Sequence, residues 1–432
     1  MADEKISISA LDALTTLASD DVLPVVDVSD LTGAATGTAK RMTGDTIRAY
    51  SAVNYEHSTA GSVVYIPKFT HPDVAGVTFG GFMVGKYPAS QPNATADDDN
   101  PDVADGAAVG VVPATSRPGV APWRYINFLR ARSACANLGV GWHLISAFEW
   151  ASLALWSQLM GTQPHGNNAN VNPPADVTYT DEIAILDRAG NARNAGWYPS
   201  LTGTGPVTWA HNHDASGVFG LNGNMWEWND GLMLCPANLN DDSDTPHVIT
   251  GAGGAGYALV LSNLEVSLTK SPYGASTSVA AGSLTDTNKV WTVNEFTGHF
   301  LYDVLGNLYY IDSNTATALT IDGASTPTTG AYTVLKLVST DITAGMVSGN
   351  RILTLRNADA DLKPFAIPAT ADGTGSATYG NDAYYFSTTS LRAAGRGGYW
   401  SDGARAGVFA LNVYFSPSYV DGHLGLRVAR SL

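Results

Sequence analysis

Gly217-Val218-Phe219-Gly220-Leu221-Asn222-Gly223-Asn224-Met225-Trp226-Glu227-Trp228 sets a glycine at every third position and closes on a pair of tryptophans. Glycines this dense supply turns at positive φ. The tryptophans supply bulk for a core with few helices, and both are expected to be packing residues. Side chains alternate along a strand, so Glu227 points away from its two neighbours and calls for an arginine partner. Just upstream, His211 and His213 form an alternating pair in Trp209-Ala210-His211-Asn212-His213-Asp214. With no third ligand beside them, they read as a polar loop, not a metal site.

The flanks agree with a fold of short strands and ordered loops. Val63-Val64-Tyr65-Ile66-Pro67 and Phe82-Met83-Val84-Gly85-Lys86-Tyr87 read as strands. Residues 96–110 are acidic and free of aromatics, hence a surface loop. A helical period opens at Pro122-Trp123-Arg124 and runs through Leu138, where Gly139 stops it, with Cys135 as a small buried hydrophobe on that helix. Ser146-Ala147-Phe148-Glu149-Trp150 has the form of a capping box ahead of an apolar run to Leu159. From Gly251 to Val338 the texture becomes short strands between Gly, Asn and Thr turns. Examples are Val290–Asn294, Gly298–Tyr302, Leu308–Ile311, Ala318–Gly323 and Gly330–Val334.

The 432 residues call for two or three domains. The 44% hydrophobic share supports a folded protein, and 14% charged residues with abundant Gly, Thr, Ser, Ala and Asn favour β structure. A net charge of −16 without a basic cluster excludes nucleic acid as a partner. Two cysteines, Cys135 and Cys235, exclude a disulfide scaffold. Met1–Lys5 lacks the basic and apolar regions of a secretory signal, and no apolar run is long enough to span a membrane. Synthesis in the cytosol and no membrane insertion are the expectation. Residues 1–55 form a separate unit with too few apolar positions for its own core, stabilised by self-association or docking.

The chain's end combines a rigid skeleton with varied contact chemistry. Arg396-Gly397-Gly398-Tyr399-Trp400, Ala406-Gly407-Val408-Phe409-Ala410-Leu411-Asn412 and Leu424-Gly425-Leu426-Arg427-Val428-Ala429 form the skeleton. Within it and in its gaps lie Tyr399, Ser401, Asp402, Arg405, Tyr414, Phe415, Tyr419, Asp421, Gly422 and His423. Tyr, Ser, Asp and Gly are the residues of antibody binding loops: rigid aromatic area beside adaptable polar groups. Tyr414 and Phe415 are adjacent, so on a strand they cannot both face a core. Tyr414, Phe415 and Tyr419 are the expected anchors.

Four separated segments, in order, resemble the formylglycine-generating-enzyme/sulfatase-modifying family. They are Phe82–Pro88, Trp142–Trp150, Gly217–Trp228, and the terminal Arg396–Trp400 with Gly425–Arg427. The resemblance implies an α+β, C-type-lectin-like fold. On that reading 56–250 is its first part, 251–340 a small all-β insertion, and 341–432 its second part with a variable region. In oxidase members, thiols between the last two motifs bind copper. Here Ser401 to Leu424 contains no cysteine, and copper(I) needs soft sulfur ligands. The expectation is a protein that is not an enzyme, with a copper-dependent formylglycine-generating-type oxidase as the alternative. No cofactor is expected, although Asn222 or Asn224 could help hold a structural calcium, as in some relatives.

The terminal framework is similar to one branch of that family, the variable proteins of diversity-generating retroelements, which include phage tropism determinants. In that branch adenines of a C-terminal repeat are mutated, with Asn codons as the usual targets. Every residue now at the ten variable positions is reachable from an Asn codon by changing adenines alone. Residues 1–50, beginning Lys5-Ile6-Ser7-Ile8-Ser9, resemble the N-terminal segment of phage tail fibres. Together these imply a receptor-binding protein at the tail-fibre tip of a virion. The implied partners are a variable bacterial cell-surface receptor, protein or glycan, other virion tail proteins, and two further copies in a homotrimer. A variable protein displayed on a bacterial surface is the alternative setting.

Overall fold

Trp226–Pro236 is one long strand, buried on both faces except at its last residue. That explains how Glu227 and the tryptophans beside it are all sealed: Trp226 is 2% exposed, Trp228 and Glu227 0%. The computed structural model describes residues 22–27, 38–43, 55–57, 60–98, 112–237 and 254–432. The chain divides into two units, Met1–Val53 and Asn54–Leu432. In the first, Val22–Asp27 pairs antiparallel with Thr38–Thr43, Val22 opposite Thr43. The remainder of that segment, and the acidic loop from residue 99 to 110, lie outside the described residues.

The second unit is mostly β with three α-helices among the described residues: α1 (Phe128–Ala136), α2 (Ala147–Met160) and α3 (Arg188–Arg193). No helix there is long and apolar enough to cross a membrane. The strand Trp226–Pro236 is central to the larger sheet, between Gly256–Leu261 on one side and Arg392–Gly397 on the other. Gly407–Val413 follows antiparallel to Arg392–Gly397, and Ala383–Phe386 runs parallel beside it. A smaller sheet orders Tyr55–His57, Gly61–Ile66, Phe82–Gly85, Val428–Arg430 and Trp142–Leu144. The C-terminal strand thus sits between two strands from the first third of the chain.

The capping box forms as the residues require. The Ser146 hydroxyl accepts from the Glu149 amide (3.2 Å), and the Glu149 carboxylate accepts from the Ser146 amide (2.8 Å). Gly161, left-handed at φ 68°, ends α2. α1 is shorter than its period implied: it starts at Phe128, not Pro122. Tyr125 is held at φ 56° and its amide donates to Asp421 O (3.1 Å), so the approach to the helix is committed to tertiary bonds. Asn127 caps the helix by accepting from the Arg130 amide. Cys135 is fully buried on α1.

The described part of 251–340 is all β, but Gly256–Leu261 and Ala331–Asp341 pair with each other and extend the main sheet. Between them a second cluster gathers around Trp291, Phe296, Leu301, Tyr309, Ile311 and Tyr332. Arg132 ties this region to α1 and the central strand, binding Asp230 (3.0 Å), Asp303 O (2.7 Å) and Thr333 (2.9 Å). Residues 290–294 are not the expected strand. Trp291 is buried with its indole N–H on Ser271 O, while Val290 and Val293 are 59% and 64% exposed. The apolar alternation there records one anchored indole in a loop.

Candidate functional site

The C-terminal framework is buried through specific bonds. Arg396 is 0% exposed and donates to Phe409 O (3.0 Å) and Phe365 O (2.6 Å). Burial pushes its guanidinium down to about 9. Gly397 and Gly398 turn the chain at φ 95° and 80°. At Gly398 a Cβ would lie 2.5 Å from that of Ala406, so only glycine allows this close return. The Trp150 indole donates to Val408 O (2.8 Å), and the Asp382 carboxylate accepts from the Phe409 and Ala410 amides (2.8 and 3.1 Å). Val408, Phe409, Leu411, Val413, Leu424 and Leu426 are all 0–2% exposed.

Between these buried stretches the chain emerges. Tyr414 is 51% and Tyr419 37% exposed, and Ser401 and Arg405 are also exposed. Tyr399, Asp402, Phe415, Asp421 and His423 are half-buried. These side chains form one connected face. Trp400 contacts Tyr399 (5.3 Å between ring centroids), Tyr399 contacts His423 (5.0 Å), and His423 contacts Phe415 (5.6 Å). Phe415 stacks on Tyr419 at 4.7 Å and 2°, and meets Tyr414 edge-on at 5.9 Å. The Tyr399 amide donates to the Asp402 carboxylate (3.1 Å). Gly422 is set apart from the others, buried under its neighbours.

Asp421 organises one end of the face. It accepts from the Tyr419 hydroxyl (2.9 Å) and lies 2.7 Å from His423 Nδ1. Burial alone would raise its carboxyl, but the hydrogen bonds from His423 and Tyr419, with the attraction of His423, hold it at about 2. Asp402 behaves oppositely. Burial pushes it up to about 7, against the Tyr399 backbone bond and the attraction of His423 and Arg405. The folded state therefore favours protonated Asp402. That contribution is complete below its unfolded value of ~4 and is lost as pH rises through about 7. In thermal unfolding from about pH 4 to about pH 8, Asp402→Asn should lose less Tm than the parent as pH rises. Equal losses in both proteins would assign the pH dependence to other groups.

Four residues that sequence reasoning missed border this face. Trp197 meets Trp400 at 5.1 Å, and Tyr385 meets Trp226 edge-on. The Arg392 guanidinium lies over Tyr414 at 5.9 Å, and the Tyr125 backbone binds Asp421. Trp197 and Tyr125 are far away in sequence and carry no periodic signal; only the fold brings them here. His211 and His213 belong elsewhere. His211 Nδ1 accepts from the Val218 amide (2.9 Å), and burial lowers its pKa to about 3, while His213 Nε2 meets Gln163 O (3.1 Å). Asn222 and Asn224 pin loops. The Asn222 amide oxygen accepts from Asn168, and that of Asn224 accepts from Asn167 and the Ser200 amide. Among the described residues, no group of three or more His, Cys, Asp or Glu side chains could hold a metal ion.

No family model matches the chain. No curated protein matches it either.

Proposed function

We propose that this protein is a retroelement-diversified receptor-binding protein of a phage tail fibre, with a C-type-lectin-like domain of the formylglycine-generating-enzyme type. It recognises a bacterial surface ligand, protein or glycan, through the face that joins Tyr399, Phe415, Tyr419 and His423. The observation that carries this reading is the division of the C-terminal segment. The residues assigned to the framework are sealed and hydrogen-bonded, while the positions assigned to variation, Gly422 excepted, emerge together as one aromatic and polar face. A surface so arranged can change its side chains without changing its support. Aromatic anchors with a polar surround are also what a contact surface needs, because a few large rings supply most interface energy.

Binding, not turnover, is the role proposed for this face. In the virion it would act as a homotrimer joined to other tail proteins through residues 1–55. Linking weak sites in that way multiplies apparent affinity by ~10²-fold or more.

The test lies in the adjoining DNA. A near-copy of the repeat encoding residues 396–428, differing from it at adenines and placed beside a reverse transcriptase gene, is the expected result. The absence of any such repeat from the genome of origin would defeat the diversification reading.

A further inference from the structure

Among the positions assigned to variation, Gly422 is buried, and its glycine is required by space and not by backbone conformation. It is not among the residues at positive φ. A Cβ placed there would lie 2.4 Å from Trp197 Cζ3, 2.7 Å from the Tyr125 hydroxyl oxygen and 2.8 Å from Tyr125 Cζ. Any residue except glycine must therefore move both rings.

The surroundings decide which ring moves further. Both backbones are tied: the Trp197 amide donates to Asn194 O (3.0 Å), its carbonyl accepts from Asn191 Nδ2 (2.6 Å), and the Tyr125 amide donates to Asp421 O (3.1 Å). Tyr125 is also held at its far end, where the hydroxyl accepts from Asn194 Nδ2 (2.6 Å) and the Arg193 guanidinium lies over the ring at 5.4 Å. Among the described residues the Trp197 indole makes no hydrogen bond through its ring nitrogen; its ring contact is with Trp400, at 5.1 Å. Tyr125, held at both ends, can give only by a small shift within its bonds, and the large displacement falls on Trp197. Trp400 then loses its outer neighbour, at the end of the ring row that continues through Tyr399, His423 and Phe415.

We infer that residue 422 is a specificity-determining position that acts through Trp197: a side chain there displaces the indole from Trp400 and so reshapes the edge of the binding face. The specificity role rests on the recognition function proposed above, whereas the displacement of the ring does not. The device is binary. Of the residues reachable from an Asn codon through its adenines, only glycine lacks a Cβ, so one substitution step separates a docked Trp197 from a displaced one. Variation at the other positions exchanges contact groups; variation at 422 moves one that lies outside the variable set.

The full chain labelled with 5-fluorotryptophan reports this directly. It has ten tryptophans, and Trp197→Phe identifies the Trp197 fluorine resonance. In Gly422→Ala the Trp197 resonance should shift and become more sensitive to exchange of H2O for D2O, with the resonances of Trp228 and Trp291 unmoved. An unmoved Trp197 resonance would overturn the inference. If Gly422→Ala is poorly folded, the same substitution in a Trp197→Ala background decides, because the nearer obstruction, at 2.4 Å, is then gone and only a small shift of Tyr125 remains to be made. Recovery of folding supports the inference; equal loss in both backgrounds overturns it.

The binding half uses a panel of intact bacterial strains as the probe. A changed set of labelled strains on Gly422→Ala supports the specificity role. An unchanged set with a displaced ring overturns that role alone. A parent protein that labels no strain across a broad panel removes the recognition reading and the specificity role together, and leaves the ring displacement intact.

Discussion

Arg427→Ala should destabilise the protein by about 3–5 kcal/mol, the cost of breaking a buried ion pair from one side. Arg427 and Glu227 are both 0% exposed, joined by two bonds of 2.7 and 2.8 Å. Arg427 also donates to Gly85 O and Phe219 O, each at 2.9 Å. One guanidinium thus holds together the Phe82–Gly85 strand, the glycine-rich turn before Trp226 and the C-terminal segment. Burial pushes the Glu227 carboxyl up, opposed by the charge and hydrogen bonds of Arg427. Removing Arg427 leaves that carboxyl alone and takes a donor from two carbonyls. The double variant Arg427→Met with Glu227→Leu should cost less than Arg427→Ala, because no lone charge remains. Urea denaturation measures both. A loss below about 1 kcal/mol for Arg427→Ala would show that the pair is not what joins these segments.

The second large effect separates support from contact within one short segment. Phe409→Ala should cost about 3–5 kcal/mol, since its ring is fully buried beside the Arg396 bonds. Tyr414→Ala and Tyr419→Ala should each change stability by no more than about 0.5 kcal/mol, as exposed residues do. The same two substitutions combined should weaken labelling of a recognised bacterial strain by about tenfold or more, because exposed aromatics that anchor an interface carry most of its energy. Denaturation curves beside a cell-binding titration read both properties. If labelling survives loss of both tyrosines, the ligand engages another surface. If stability falls as far as in Phe409→Ala, these rings are part of the core.

How much was legible in advance follows from the range of each interaction. The Ser146–Glu149 capping box is local, three residues apart, and formed as its pattern requires. The helix expected from Pro122 did not, because the Tyr125 amide is taken by Asp421, on the far side of the sequence near the C-terminus. The same limit applied at Val290–Asn294, where apolar spacing could not distinguish a strand from a loop anchored by Trp291. Glu227 required an arginine, and only the fold could say which one.

By itself the sequence determined that the glycine-punctuated apolar runs of the C-terminal segment, around Phe409 and Leu426, are buried. It also determined the mainly β character of the second unit and the burial of Trp226 and Trp228. These depend on local rules: period, turn chemistry and side-chain volume. The tertiary structure alone decided that Tyr399, Phe415, Tyr419 and His423 form one face, that Trp197 and Tyr125 border it, and that Gly422 lies beneath it. Such neighbours are set by which strands pair and which loops return, and those contacts have no spacing along the chain from which they could be read.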